Sequence, residues 1–253
     1  MLQKIIRVRI ILSTLKAGLN TRLERTVQPS VQQRISDMKF GKLLVLAAVC
    51  GLAATQAHAQ AGKTLYQNDF EKAAVDSVPD DFLVLDGGFA VKEAEGNKFI
   101  ELPGAPLETY GFLFGPSEKE NLAVTARIHG SGKGRRFPFF GVGLSGVGGY
   151  RLMVAPAKQM IELYKGEEVV ASIPDKWASG TWTQFHLEVR KTGSTWKVEG
   201  KVWKQGEAEP KAPVLSFEEK EEPINGRPTV WASPYAGTPI KFDDLKVVSV
   251  SGS

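Results

Sequence analysis

The chain has almost none of the residues that supply thiol and imidazole chemistry. Only one of its 253 residues is cysteine and only three are histidine. The cysteine, Cys50, stands near the N-terminus, so the rest of the chain has no disulfide and no thiolate. Beyond residue 59 only His129 and His186 remain, and neither has a second ligand at the spacing that a zinc site requires. Thiolate and zinc chemistry are therefore not indicated.

The chain also lacks an apolar run long enough to cross a membrane as a helix. Its clearest apolar stretch, residues 43–53, covers eleven residues, against the ~20 that a bilayer requires. Two lysines lie between Met38 and this stretch, and the small-residue sequence Ala57-His58-Ala59 follows it. A basic start, a short apolar run and a small-residue site predict a signal peptide over residues 38–59, cleaved before Gln60.

The segment ahead of this leader, residues 1–37, carries no clear structural element. We interpret it as an upstream extension from a misassigned start codon, with an extended leader as the alternative. A retained anchor and a lipid on Cys50 are the alternatives to cleavage, but Val49 stands where lipid attachment favours a small residue. The sequence thus predicts an exported domain over residues 60–253. Freedom from disulfides is typical of a bacterial protein of the periplasm or the exterior rather than a small secreted animal domain.

An excess of positive charge is missing once the leader is removed. Nine of the 32 basic residues and two of the 28 acidic residues precede Gln60, which leaves 23 basic against 26 acidic groups. The net charge of the exported part is therefore about −3. The high isoelectric point of the whole chain indicates neither nucleic acid nor an anionic membrane as the partner.

Helical periodicity is lacking beyond residue 60, where short alternating runs end at Gly, Pro, Asn or Asp every eight to twelve residues. Turn residues such as Gly148-Gly149, Gly166-Glu167, Gly193-Ser194 and Asn225-Gly226 favour tight antiparallel connections. The predicted strands are residues 65–70, 82–85, 90–93, 98–102, 111–114, 122–129, 137–144, 150–155, 160–165, 168–173, 183–191, 195–203, 229–233 and 240–250.

The clearest of these strands is residues 183–191, in which apolar and polar side chains alternate. Phe185, Leu187 and Val189 share one face, and the residues between them are polar. Many such strands in fewer than 200 residues, without an internal repeat, predict an all-β, two-sheet antiparallel β-sandwich rather than a small barrel or a propeller.

Four segments resemble the jelly-roll domains of the concanavalin A-like lectin and glucanase superfamily, in particular the laminin-G-like modules of exported bacterial proteins. They are Asn68-Asp69-Phe70-Glu71 with Pro79, Gly141-Val142-Gly143-Leu144 followed by Gly149-Tyr150-Arg151-Leu152, Gly180-Thr181-Trp182, and Phe242-Asp243-Asp244-Leu245-Lys246-Val247. Domains of this fold include lectins, hydrolases, lyases and adhesion modules, so the resemblance implies a fold more than an activity.

The residues argue against several catalytic sites. The spacing Gly141-x-Gly143-x-x-Gly146 matches a dinucleotide fingerprint, but a hairpin follows it instead of the helix that would bind a pyrophosphate. No predicted strand carries the paired carboxylates of the glucanases, and no nucleophile elbow is present. The densest acidic cluster, Glu218, Glu219, Glu221 and Glu222, is interpreted as an exposed charged loop.

A structural calcium ion is the metal that the resemblance implies. Asp69 and Glu71 lie at the first strand and Asp243 and Asp244 at the last, and related modules hold one Ca²⁺ between acidic residues at the two chain ends. In the alternative interpretation, Asp243 and Asp244 form a turn and hydrogen-bond their own backbone.

Carbohydrate is the ligand that we expect, bound without catalysis. A sugar-binding face needs an aromatic ring against the apolar side of a pyranose, with planar hydrogen-bonding groups beside it. We assign Trp182 and Trp196 to packing, while Trp177 fits either role. The candidate ligand-binding residues are Arg127, His129, Tyr150, Arg151, Trp203, Trp231 and Tyr235. The alternatives are a polysaccharide hydrolase or lyase and a structural envelope or adhesion protein.

Overall fold

The computed structural model describes residues 62–252, and the predicted upstream extension and signal peptide lie outside them. The described residues form fifteen strands and contain no helix that is long and apolar enough to cross a bilayer. The strands are β1 (Thr64–Asn68), β2 (Leu83–Asp86), β3 (Ala90–Ala94), β4 (Asn97–Leu102), β5 (Tyr110–Leu113), β6 (Leu122–Gly130), β7 (Phe139–Leu144), β8 (Tyr150–Ala155), β9 (Met160–Lys165), β10 (Glu168–Pro174), β11 (Thr181–Thr192), β12 (Thr195–Lys204), β13 (Leu215–Glu219), β14 (Thr229–Ser233) and β15 (Ile240–Ser249).

The strands form two antiparallel sheets. The eight-stranded sheet has the order β13-β12-β11-β6-β15-β4-β3, with β1 paired to β15, and the seven-stranded sheet has the order β10-β9-β8-β7-β14-β5-β2. Their inner faces enclose one apolar core. The prediction of an all-β sandwich of jelly-roll type is thereby confirmed.

The core follows from the alternation of apolar residues along each strand. On β11, Phe185, Leu187 and Val189 are at most 1% exposed, as the sequence predicts. Phe185 meets Phe140 of the opposite sheet edge-on, with 6.0 Å between ring centroids. Aromatic pairs of this geometry contribute about 1 kcal/mol beyond the area that they bury. The alternation therefore fixes which face of each strand is left for function.

All fourteen predicted strands overlap an observed strand, but the sequence analysis missed β13 (Leu215–Glu219). The interpretation of Glu219 as part of an exposed charged loop is wrong, because this residue ends β13 and is 4% exposed. The run of carboxylates concealed the short Leu215-x-Phe217 alternation. Glu218 is exposed as expected but also lies in β13 rather than a loop, and Glu221 and Glu222 are exposed as expected.

The glycines of the fingerprint-like segment lie in a strand and a turn. Gly141 and Gly143 belong to β7, Gly146 has a φ of 74° in the turn that follows, and β8 comes next. The predicted hairpin after these glycines, in place of a helix, is therefore confirmed. The predicted turn at Asn225-Gly226 is not a hairpin, because Gly226 pairs with Glu118 and the segment connects the two sheets.

Candidate functional site

The outer face of the seven-stranded sheet carries a cluster that we call the Arg151 platform: Arg151, Met153, Glu162, Tyr164 and Trp231. Since neighbouring residues of a strand point to opposite faces, Arg151 points outward where Tyr150 and Leu152 point into the core. Arg151 stands opposite Tyr164 on β9, and Met153 stands opposite Glu162. The register thus brings a cation, a carboxylate and aromatic rings onto one face.

The guanidinium of Arg151 lies between two aromatic rings. Its Cζ atom is 5.2 Å from the ring centroid of Tyr164 and 5.2 Å from that of Trp231. Both distances are within the range of a cation–π interaction. Arg151 also donates hydrogen bonds to the carbonyl of Gly166 and, at 3.0 Å, to Glu167. Its Nε has no hydrogen-bond partner among the described residues and is buried.

Glycines on β5 and β7 make room for the large side chains of the platform. A Cβ atom at Gly111 would lie 3.1 Å from the Trp231 ring, and one at Gly141 would lie 2.8 Å from the sulfur of Met153. At Gly143 it would lie 2.4 Å from the hydroxyl of Thr229. The side chains of neighbouring strands therefore lie over the glycine backbone.

A carboxylate and a lysine complete the open side of the platform. Glu162 accepts hydrogen bonds from Lys158 at 2.9 Å and from the Tyr164 hydroxyl at 2.7 Å. Burial and the Glu162 carboxylate raise the pKa of the Tyr164 phenol. The side chains of Lys158 and Glu167 are 58% and 94% exposed, whereas that of Arg151 is 11% exposed. A buried stack thus supports an exposed rim of charged groups.

Tyr150 does not belong to this surface, contrary to the expectation from sequence. It is 2% exposed, and its hydroxyl donates a hydrogen bond of 2.9 Å to Glu219 of the other sheet. Lys165 lies 2.7 Å from the same carboxylate. Burial raises the pKa of the Tyr150 phenol, as does the hydrogen bond to Glu219. Tyr150 therefore links the two sheets.

Two other predicted residues, Arg127 and His129, meet on the outer face of the eight-stranded sheet. With Trp182 and Lys241 they line a cavity of about 320 Å³, which we call the Trp182 depression. The Arg127 guanidinium lies 4.6 Å from the centroid of the Trp182 ring. Burial and the charge of Lys241 lower the pKa of His129. Trp182, which we had assigned to packing, thus lies against two candidate ligand-binding residues.

The four acidic residues expected to hold calcium bind other groups of the chain in this structure. Asp243 and Asp244 both pair with Arg127, at 2.6 and 2.9 Å. Burial raises the pKa of the Asp243 carboxyl, against the hydrogen bond from Asn97 and the charge of Arg127. Asp244 has a φ of 51°, and its backbone N–H donates a hydrogen bond to the Asp243 side chain, as in the alternative interpretation.

The carboxylates at the first strand bind backbone N–H groups instead. Asp69 accepts a hydrogen bond from the N–H of Glu71, and Glu71 accepts one from the N–H of Lys98. Within residues 62–252, no group of three or more His, Cys, Asp and Glu residues is arranged to hold a metal ion. Calcium therefore remains an expectation from sequence alone.

Trp203 lies on neither of these surfaces. With Trp177 and Asp175 it lines a cavity of about 300 Å³ at one end of the sandwich, between the β10–β11 and β12–β13 connections. We call this cavity the Trp177 groove. Trp177 also meets Phe140 edge-on, with 5.8 Å between centroids, which fixes one edge of its ring against the core.

The two remaining candidate ligand-binding residues, Trp231 and Tyr235, lie in different places. Trp231 lies in the Arg151 platform, and its indole N–H donates a hydrogen bond of 2.9 Å to Thr229. Tyr235 is 46% exposed in the connection between β14 and β15. The predicted residues therefore lie at four separate places and the core, not on one face. Tyr164 and Glu162 were missed, and their alternation on β9 is the signal that could have found them.

Comparisons with known proteins give the class of fold. No family model matches the chain, and no curated protein matches it. A Bacillus subtilis protein of unknown function with a galectin-like fold is similar in structure at 11% identity, with a TM-score of 0.53 over 77% of this chain and 99% of that one. A xylan β-1,4-xylosidase from Bacillus halodurans C-125 is similar at 12% identity, with a TM-score of 0.50 over 72% of this chain and 39% of that one.

A carbohydrate-binding module of Bacillus subtilis, CBM66, is also similar, at 11% identity and a TM-score of 0.46 over 67% of this chain and 96% of that one. At such low identity, structural similarity shows the fold alone. The chain therefore shares a jelly-roll β-sandwich fold with these structures.

Proposed function

We propose that the chain is an exported, non-catalytic module that binds carbohydrate on the Arg151 platform. The observation that carries the proposal is the stack in which Arg151 is held between Tyr164 and Trp231, beside the Glu162 carboxylate. Carbohydrate-binding modules and lectin domains are among the structures of similar fold.

The chemistry of the platform suits a sugar. A pyranose has apolar C–H groups on one side, which pack against an aromatic ring, and hydroxyls at its rim that both donate and accept hydrogen bonds. The Tyr164 ring offers the aromatic surface, Lys158 offers donors and Glu167 offers acceptors. Because the buried Arg151 fixes the Tyr164 ring, little side-chain entropy is lost on binding.

Binding without turnover is supported by the neighbours of Glu162. Glycoside hydrolases pair two carboxyl groups, ~5–9 Å apart. The residues opposite Glu162 on the adjacent strands are Met153 and Ser172, so no second carboxyl faces it across the sheet. The carboxylate instead orients Lys158 and Tyr164.

Export rests on the predicted leader at residues 38–59. Expression of the full chain in a bacterium, followed by mass spectrometry of the purified product, tests it. A mature N-terminus at Gln60 is expected, and a product that begins at Met1 or Met38 would contradict cleavage.

Binding is tested with that purified product on a glycan array, followed by calorimetric titration of the glycans that bind. We expect Tyr164→Ala to weaken binding about 30-fold, the loss typical of an aromatic anchor. Tyr164→Phe keeps the ring and should keep most of the affinity. Tyr235→Ala removes an exposed tyrosine outside the platform and serves as the matched control, with no change expected.

Two other results would replace this proposal. Release of reducing sugar from a polysaccharide panel would indicate a hydrolase, and release of an unsaturated product would indicate a lyase. The absence of both binding and turnover would favour a structural envelope or adhesion protein.

A further inference from the structure

The Trp177 groove has the shape and the lining of a small-molecule site. Its volume of about 300 Å³ matches the lower end of ligand pockets, at roughly 300 Å³. The indoles of Trp177 and Trp203 supply its aromatic surface, and the edge-on contact with Phe140 holds Trp177 in place. No residue of the groove belongs to the Arg151 platform.

The charges that line the groove cancel. Asp175 and Glu207 are balanced by Lys176 and Lys204. A cationic or an anionic ligand would therefore gain little net attraction, because each charge that favours it is offset by one that opposes it. The lining favours an uncharged ligand.

The hydrogen-bonding groups of the lining narrow the class of ligand further. The indole Nε1–H of Trp177 is buried and has no hydrogen-bond acceptor within residues 62–252. Burial raises the pKa of the Asp175 carboxyl, whose oxygens are acceptors. Hydroxyl groups serve both, since each can accept from the indole and donate to the carboxylate. A hydrocarbon would leave the Trp177 N–H unpaired, at the cost of a buried polar group without a partner.

We propose that the Trp177 groove is a second binding site, which takes a neutral sugar ring against the indoles of Trp177 and Trp203. The groove and the Arg151 platform lie on different parts of the sandwich. This proposal is therefore separate from the function proposed for the platform, and either can hold without the other.

The tryptophans themselves report on the two sites. The chain has five, and all of them lie within the described residues. Trp177 and Trp203 report on the groove, Trp231 on the platform and Trp182 on the Trp182 depression. Trp196 is buried with its indole N–H bonded to Glu120, so it is an internal control.

The experiment is a titration of the ¹⁵N-labelled exported protein, monitored at the five indole N–H signals. The signals are assigned with single Trp→Phe variants at 182, 196, 203 and 231, which leaves Trp177 by elimination. The probes are the methyl glycosides of glucose, galactose, mannose, xylose and arabinose, with glucuronate and glucosamine as charged counterparts of the same ring size.

We expect the Trp177 and Trp203 signals to shift together, with one saturation curve, for at least one neutral glycoside. The charged counterparts should bind about tenfold more weakly. Trp203→Ala should weaken the response at Trp177 about 30-fold and leave that at Trp231 unchanged. Tyr164→Ala should weaken the response at Trp231 and leave that at Trp177 unchanged.

Two results would overturn the second site. Constant Trp177 and Trp203 signals with every neutral glycoside would do so, as would equal or stronger binding of the charged rings. A Trp231 signal that does not shift with any glycoside would count against binding at the Arg151 platform alone. The two proposals therefore fail through different signals.

Discussion

The outer faces of the two sheets differ in how their side chains fill the space above the strands. On the seven-stranded sheet, glycines alternate with large residues, so Arg151 and Trp231 lie over the backbone of neighbouring strands. On the eight-stranded sheet, β11 and β12 carry an ionisable side chain at every outward position of their middle part. These residues are His186, Glu188, Arg190, Lys197, Glu199 and Lys201.

The charged face is organised by pairing across the strands. Glu188 and Glu199 stand directly opposite each other, an arrangement of like charges that destabilises a sheet unless it is compensated. Arg190 lies 3.5 Å from Glu188 and 3.1 Å from Glu199. Its position offsets the repulsion. The His186 side chain, 3.7 Å from the carboxylate, lowers the pKa of Glu188, with further help from the charge of Arg190. Each of these residues of β11 and β12 therefore pairs with a neighbouring side chain of opposite charge type. The platform instead keeps polar groups beside aromatic rings.

The largest effect is expected when a side chain fills the space that a glycine leaves on the seven-stranded sheet. Gly141→Ala would place a Cβ atom 2.0 Å from the carbonyl oxygen of Leu152. We expect the free energy of unfolding in urea to fall by about 3 kcal/mol, the upper part of the range for overpacking. Gly193→Ala is the control, because the turn there has open space and only its φ of 60° opposes a side chain. It should cost about 1 kcal/mol. Equal losses would mean that close approach does not shape the platform.

Neighbouring residues of β8 give the second test. Tyr150→Phe removes the hydroxyl that Glu219 binds, so it should lower the free energy of unfolding by about 1 kcal/mol and leave glycan binding unchanged. Arg151→Gln should lower binding about tenfold, because the Tyr164 ring loses its support, and should also lower the free energy of unfolding. If Tyr150→Phe weakens binding more than Arg151→Gln, the assignment of the two faces is wrong.

The sequence predicted the sandwich because alternation is a local signal that each strand carries by itself. Fourteen strands needed no knowledge of their partners, whereas the site depends on which strands are neighbours. Arg151 and Trp231 are 80 positions apart, and only the order β8-β7-β14 brings them together. Nothing local distinguishes the outward Arg151 from Arg127, which two aspartates neutralise. Register and sheet order, not residue type, decide which polar residues form a site.

Acidification should lower the free energy of unfolding in two steps. The pKa of His129 is lowered, so below about pH 6.5 the unfolded chain takes up a proton that the folded one resists, and stability falls as the pH falls. At Glu219, burial acts to raise the pKa, but Lys165, the Glu221 N–H and Tyr150 together lower it. Its contribution is present above about pH 4.3 and is lost as the pH falls through the folded pKa.

Urea unfolding at a series of pH values checks both steps. His129→Gln should remove the step that begins near pH 6.5 and keep the lower one, whereas Glu219→Gln should reduce the lower step alone. An unchanged upper step in His129→Gln would show that another group titrates there.

Removal of divalent cations should have the smallest effect of all. The sequence places Asp69, Glu71, Asp243 and Asp244 at the two chain ends, where related modules hold calcium. In the structure the last two bind Arg127, a cation that already provides the positive charge calcium would supply. We therefore expect thermal unfolding midpoints with EDTA and with added CaCl₂ to coincide at matched ionic strength. Arg127→Gln removes that cation, so it should lower the midpoint and allow calcium to restore part of it. A midpoint that falls with EDTA in the unaltered protein would instead establish a calcium site that coexists with Arg127.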